Sequence, residues 1–263
     1  MSTIEVERAD NRIVHLPSQR RDWAIWRFCA WSGPFFIVAF LTVWAGVAGF
    51  FPPPSENWDA DRVVKFLSDD SVRIRLGMGL AVFVSGFYLF WTLAIARVMK
   101  AMEPSASSPL TRLQVYGGLG TMFAIIFFGL VWATAAFQAS ERDADPHTVQ
   151  MLHDLGWIAF DLVGMPTMIQ MCAIGALLIS PRDPGEPQLM PRWVAYLCFF
   201  VASIFLEVLL LLFIKTGPFA WHGVVTYYVI LAAFFIWMLV ISFYSIKAIK
   251  SLEAQERSAA AAA

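Results

Sequence analysis

Six stretches of roughly 20 or more residues in this chain are free of basic residues, and only two carboxylates, Asp161 and Glu207, interrupt them. About 20 apolar residues of helix cross the roughly 30 Å hydrocarbon core of a bilayer. Lipid offers the backbone no hydrogen-bond partners, so such stretches are confined to helix. The expected fold is therefore all-α, a polytopic bundle of six transmembrane helices. The spans read as about 31–51, 76–96, 114–138, 155–179, 193–214 and 223–246. Together they form a transmembrane domain at 29–248, between polar tails at 1–28 and 249–263.

Composition points the same way. The chain is 59% hydrophobic and 15% charged, with a mean hydropathy of +0.63, whereas soluble domains are about 25% charged. A net charge of -1 argues against a nucleic-acid partner. The 11 tryptophans and 23 phenylalanines suit a protein surrounded by membrane lipid, with aromatic belts at its interfaces. Cys29, Cys172 and Cys198 lie far apart and form neither a disulfide framework nor a thiolate metal site. Arg20, Arg21 and Arg27 precede the first span as in a signal peptide. The apolar run is too long for that and no A-x-A site follows, so an uncleaved first helix is expected.

Basic residues set the expected orientation. Arg8, Arg12, Arg20, Arg21, Arg27, Arg97, Lys100, Arg112, Arg182, Arg192, Lys247, Lys250 and Arg257 fall on one side. Arg62, Lys65, Arg73, Arg75, Arg142 and Lys215 fall on the other. The richer side is the cytoplasmic one, which puts both termini in the cytoplasm and makes Ser105 an inner and Asp143 an outer position. The expected location is a membrane, crossed several times.

The outer face carries the chemistry-bearing residues. After Pro52-Pro53-Pro54, a stiff extended step, Ala60, Val63, Val64 and Leu67 share one face of a short helix with Asp59 as N-cap. That helix is expected to lie flat on the bilayer, the alternative being a lid over the bundle. Arg73 and Arg75 are expected to pair with Asp69 and Asp70, or else to turn inward toward Asp154 or an anionic group. His153 and Asp154 open the fourth span, and positions 154, 157, 161, 165 and 168 make one helical stripe of two acids, an indole and two thioethers. Gly164 and Pro166 should kink that helix just beyond Asp161. Gly217-Pro218 gives a tight outer turn leading to Trp221 and His222.

Asp161 is seven residues inside Asp154, and Glu207 eight inside Lys215, so each lies about 10–12 Å below the outer surface. Neither side chain is long enough to snorkel out. An intramembrane acid marks function, or else it holds helices together as a neutral hydrogen-bonding group. The expected site is a cavity opening to the outer half, lined by the fourth and fifth spans and capped by the Trp221–His222 turn. The inner halves read as apolar. Asp161, Glu207, Asp154 and His153 are the candidate catalytic residues. Trp157, Trp221, His222, Arg73, Arg75 and Tyr227 are the candidate substrate-binding residues. His147, His153, Asp154 and His222 lack paired-ligand spacing, so no metal site is expected, and no cofactor motif is present.

Several pieces of the chain resemble a family of uncharacterised bacterial six-span integral membrane proteins. They are Pro52-Pro53-Pro54, Arg73-Ile-Arg75-Leu-Gly77, Asp154-Leu-Gly-Trp157, Pro191-Arg-Trp193 with Tyr196-Leu197, and Lys215-Thr-Gly-Pro-Phe-Ala-Trp221. The last is the most specific, and together the pieces are spread over most of the chain. The resemblance implies six helices in a bacterial inner membrane and carries no activity to assign to particular residues.

Three functions compete at this point. Two carboxyl groups in a low-dielectric pocket can act as acid and base on a small lipophilic substrate, such as a terpenoid, sterol or lipid alcohol, in an isomerisation or a hydration/dehydration. Trp157, Trp221 and Tyr227 would steady a developing cation. The same acids could instead serve a proton-coupled transporter, or the chain could be an accessory membrane subunit without catalysis.

Overall fold

The computed structural model describes residues 3–103, 106–162, 164–181 and 187–262, with side chains from Asp22 onward. Ser105 and Arg182 lie outside the described residues, as do the side chains of Arg8, Arg12, Arg20 and Arg21. Eight α-helices follow one another among the described residues, with no strand: α1 (Thr3–Leu41), α2 (Ala60–Asp69), α3 (Ser71–Met102), α4 (Pro109–Ala139), α5 (Pro146–Leu162), α6 (Met165–Ile179), α7 (Trp193–Ile204) and α8 (Ile230–Ala262). They make six segments long and apolar enough to span a membrane: Asp22–Val47, Ser71–Met102, Pro109–Ala139, Pro146–Ile179, Trp193–Leu212 and Val224–Ala262. The all-α, multi-pass architecture read from the sequence is the one observed.

Large apolar side chains such as Phe83, Phe123, Phe200, Phe213 and Phe243 point outward. A soluble protein avoids a continuous apolar surface of this kind, whereas lipid accepts it. Close helix contacts rest on small residues. A Cβ added at Gly118 would sit 2.3 Å from Thr92 Oγ1, and one at Gly117 would sit 2.6 Å from the Pro166 carbonyl oxygen. α4 therefore lies almost backbone to side chain against α3 and α6.

Three spans leave the α form in the half of the bundle far from Arg27 and Glu253. Span one ends in a π-helical turn at Thr42–Val47 and span six begins with another at Val224–Val229. Span five tightens from α7 into a 3-10 helix at Phe205–Leu212, the stretch that holds Glu207. Leucine and glutamate make up most of this stretch and both favour α-helix, so packing rather than propensity sets this geometry. A 3-10 helix rises about 2.0 Å per residue rather than 1.5, which helps the 20-residue fifth span reach the surface. Span four breaks between α5 and α6, where Pro166 cannot donate to the turn before it. The break cuts the expected stripe: Asp161 is buried, but Met165 faces outward at 65% exposure.

The connections at that end fold onto the bundle. Asp59 caps α2, accepting from Arg62 N at 2.8 Å. Val63 and Leu67 are buried, and α2 packs on α5 and α4. α2 therefore does not lie flat on the bilayer, because its apolar face is taken by protein. Gly49 at φ +77° and Gly217 at φ +83° adopt the left-handed turns that lead out of and back into the bundle. At the opposite end Arg27 holds Glu253 through two contacts of 2.6 and 2.7 Å, tying α1 to α8. Both tails continue these helices, and α8 runs on to Ala262 through alanines, which favour helix.

Candidate functional site

A cavity of about 90 Å³ lies in the middle of the bundle. Its wall comes from five spans: Phe36 and Phe40 of α1; Thr121, Ala124, Ile125 and Phe128 of α4; Phe160, Asp161, Gly164 and Thr167 around the α5–α6 break; Phe205 and Val208 of span five; and Thr226, Ile230, Leu231, Phe234 and Phe235 of span six. Apolar and aromatic side chains dominate, and among the described residues Asp161 is the only ionisable group on the wall. The cavity sits deeper, and draws on more spans, than the outer pocket between the fourth and fifth spans that the sequence suggests.

Asp161 is 8% exposed, and among the described residues its Oδ2 is buried without a hydrogen-bond partner. Leaving a carboxyl oxygen unmatched in an apolar wall is costly, and native structures keep few such groups. Glu207 is not on the wall. Its Oε1 accepts from the Thr226 hydroxyl at 2.9 Å, and Thr226 does line the cavity, while Oε2 is buried and unpartnered. The two acids thus approach the cavity unequally, one directly and the other through a hydroxyl. Glu207 and Glu56 are the carboxylates near enough to act on Asp161 electrostatically.

The other candidate residues, Arg73 and Arg75 apart, form a cap above the cavity rather than part of its wall. Trp157 is fully buried, stacked on Trp221 at 6.0 Å and 14° and on Phe50 at 5.7 Å. Its indole N–H donates to His153 Nε2 at 3.2 Å, so the His153 proton sits on Nδ1, facing Asp154 Oδ1 at 3.2 Å. Trp221 donates its indole N–H to the Pro54 carbonyl at 3.0 Å and its backbone N–H to Glu56 Oε2 at 3.1 Å. Glu56 N donates to His222 Nδ1 at 3.3 Å. Tyr227 stacks on Trp44 and donates its hydroxyl to the Phe50 carbonyl. These rings satisfy one another, and no face of Trp157, Trp221 or Tyr227 meets the cavity.

Within the cap, burial pushes the Glu56 carboxyl above its ordinary range, against the Trp221 N–H and Lys215, which favour the anion. Burial lowers the His222 imidazole. Arg73 and Arg75 belong to neither cap nor cavity. Arg73 pairs with Asp70 at 2.9 Å and touches the Val47 carbonyl, and Arg75 reaches the Ser71 carbonyl and the Phe137 ring. The inward reading of these arginines is therefore set aside, because their guanidinium groups are occupied at the rim.

Below the cavity, toward the end tied by Arg27 and Glu253, the half that the sequence reading took as apolar carries a polar network. Thr121 and Thr167, both on the wall, meet through their hydroxyls at 2.8 Å. One turn deeper the Tyr88 hydroxyl donates to Gln170 Oε1 at 2.6 Å, and Gln170 Nε2 donates to Thr92 Oγ1 at 3.3 Å. Gln114 Nε2 then donates to the Thr92 carbonyl at 3.3 Å. Asp161, Gly164, Thr167 and Gln170 follow a three-residue spacing along span four. A search for uncharged polar residues at helical spacing would have found this line, whereas a search for charge passes over it. Glu56 was missed for another reason: nothing local joins it to Trp221, 165 residues away.

Among the described residues no three His, Cys, Asp or Glu side chains come together to hold a metal ion. Comparison with protein-family models, with curated proteins and with solved structures finds no match for this chain.

Proposed function

We propose that this chain is a bacterial inner-membrane protein, with both termini cytoplasmic, whose central cavity receives the reacting group of a small lipophilic compound. We propose further that Asp161 and Glu207 carry out cofactor-independent acid–base chemistry there, an isomerisation or a hydration/dehydration. The observation that carries this reading is the unpartnered Asp161 Oδ2 on the wall of an otherwise apolar, aromatic cavity. The space is smaller than the roughly 300 Å³ at which drug-sized pockets begin, so it suits a functional group whose hydrocarbon tail lies elsewhere. Leu231 and Phe234 of the wall are half-buried, which gives such a tail a way to the lipid.

For an alcohol the step balances simply. One carboxylic acid donates its proton to the hydroxyl oxygen, the C–O bond breaks and water leaves. The other carboxylate takes a proton from the neighbouring carbon as the double bond forms. Thr226, between Glu207 and the cavity, can pass that proton through its hydroxyl. Phe36, Phe40, Phe128 and Phe160 present rings to the developing cation. Purified protein incubated with linear and branched allylic alcohols should give alkene or allylic isomer, read by gas chromatography. Asp161→Asn and Glu207→Gln should abolish the product while the protein still folds, since an amide keeps shape and hydrogen bonding but cannot exchange the proton. Full turnover in both variants would end the catalytic reading.

A second reading has its own support. The line Asp161, Thr121–Thr167, Tyr88–Gln170 and Thr92–Gln114 runs inward from the cavity, as a proton relay in a coupled transporter would. Proton uptake in proteoliposomes that is lost in Gln170→Leu, with no alcohol turnover in the native protein, would favour transport over catalysis.

A further inference from the structure

A second, larger cavity lies at the membrane face that carries both termini, at the foot of α3 and α4. It holds about 410 Å³ and is lined by Trp26, Leu93, Ala96, Arg97, Lys100, Ala106, Ser107, Ser108, Thr111 and Arg112. Three cations and three hydroxyl-bearing residues thus border one open hollow, with an indole and a leucine at its edge. Its position matters: Leu93 faces outward from the membrane-spanning part of α3, while Lys100 and Arg112 are exposed at the surface.

The local carboxylate is already engaged. Glu103, between α3 and α4, turns to the start of α4 and accepts from Leu110 N, Thr111 N and Thr111 Oγ1 at 3.1, 3.0 and 2.6 Å. It caps that helix and does not border the hollow. Lys100 reaches the Ser108 hydroxyl, which holds the ammonium over the cavity. Arg97 lies on the Trp23 ring at 5.3 Å, and neither Arg97 nor Arg112 pairs with a carboxylate among the described residues.

We propose that this hollow binds the phosphate of an anionic ligand, with Arg97, Lys100 and Arg112 as the charge-bearing residues. A basic pocket between helices at a membrane face matches the headgroup of an anionic phospholipid, whose acyl chains would run along Leu93. A guanidinium fork fits phosphate oxygens in pairs, and an ammonium adds a compact point charge beside it. The same chemistry would also hold a soluble phosphate, and the test separates the two sources.

The intact protein in mild detergent is titrated with phosphatidylglycerol, phosphatidylcholine or inorganic phosphate, and thermal unfolding and bound lipid are followed. Phosphatidylglycerol should stabilise the protein and stay bound where phosphatidylcholine does not. In Arg97→Gln/Arg112→Gln its apparent affinity should fall about thirtyfold, since each basic residue is worth roughly fivefold. The variant's unfolding temperature without lipid should fall only slightly, through loss of the Arg97 contact with the Trp23 ring, because neither arginine pairs with a carboxylate among the described residues. Stabilisation by inorganic phosphate that the variant loses would keep the phosphate site and make its ligand soluble. Equal response to phosphatidylglycerol and phosphatidylcholine without any response to phosphate, or a full response in the variant, would overturn the proposal.

Discussion

The Thr226 hydroxyl donates to Glu207 Oε1 at 2.9 Å, and through that bond an acid on span five reaches a cavity whose wall it does not form. Thr226 lies in the π-helical turn of span six and Glu207 in the 3-10 stretch of span five. Two departures from α geometry therefore meet at one hydrogen bond, and such departures recur at functional sites.

Thr226→Val keeps the shape and removes the donor. It should leave Glu207 Oε1 unmatched, cost about 1–3 kcal/mol of stability, and lower turnover at least about tenfold if the hydroxyl passes the proton. Thr226→Ser should restore turnover. Denaturation and product formation measured on the same preparations separate the two effects, and unchanged turnover in Thr226→Val would remove the hydroxyl from the mechanism.

Trp221→Phe should loosen the cap. It deletes the indole donor to the buried Pro54 carbonyl, which costs about 1–3 kcal/mol. Hydrogen exchange at residues 50–58 should quicken, while the inner half, tied by Tyr88 and Gln170, exchanges as before.

Gly156→Ala should disturb the same cap from below. A Cβ there would lie 2.4 Å from Trp132 Nε1, and Trp132 is fully buried against Phe50 and Trp157. Overpacking of this kind costs about 1–3 kcal/mol. The checks are a lower unfolding temperature and a changed tryptophan fluorescence, and an unaltered native spectrum would contradict the packing.

The cap should weaken in acid through His222. Burial lowers the folded-state value of this imidazole below its ordinary 6.5. The unfolded chain therefore takes up the proton first, and the stability present above 6.5 is lost as pH falls below it. Protonation at Nδ1 also ends the bond from Glu56 N. Glu56 acts in the opposite sense, since its raised value makes stability fall as pH rises through it. His222→Gln should flatten the acid side of the profile below 6.5 and leave the contribution of Glu56, which also feels Lys215 and Asp154.

Orientation can be checked with single cysteines. In a background with Cys172 changed to serine, Asp143→Cys should label from outside intact cells and Ser258→Cys only after permeabilisation. Labelling of both from outside would sink the topology.

The sequence by itself determined the class of fold, because uncharged runs of this length permit only membrane-spanning helix and charge breaks mark their ends. It also singled out Asp161 and Glu207, whose charge is costly in any apolar surrounding, and Asp59 as the cap of α2, a local pattern. The tertiary structure alone decided which groups face the cavity. Trp157, Trp221 and Tyr227 have the right chemistry for a ligand, yet ring stacking and buried carbonyls consume them in the cap. Glu56 reaches Trp221 only across the folded bundle. The turn from α to 3-10 geometry at Phe205 is likewise written in no residue type, since helix propensities differ by tenths of a kcal/mol and packing overrides them. Local rules name the elements and the costly residues, whereas a site depends on distances between residues far apart in the chain, and those exist only once the bundle has packed.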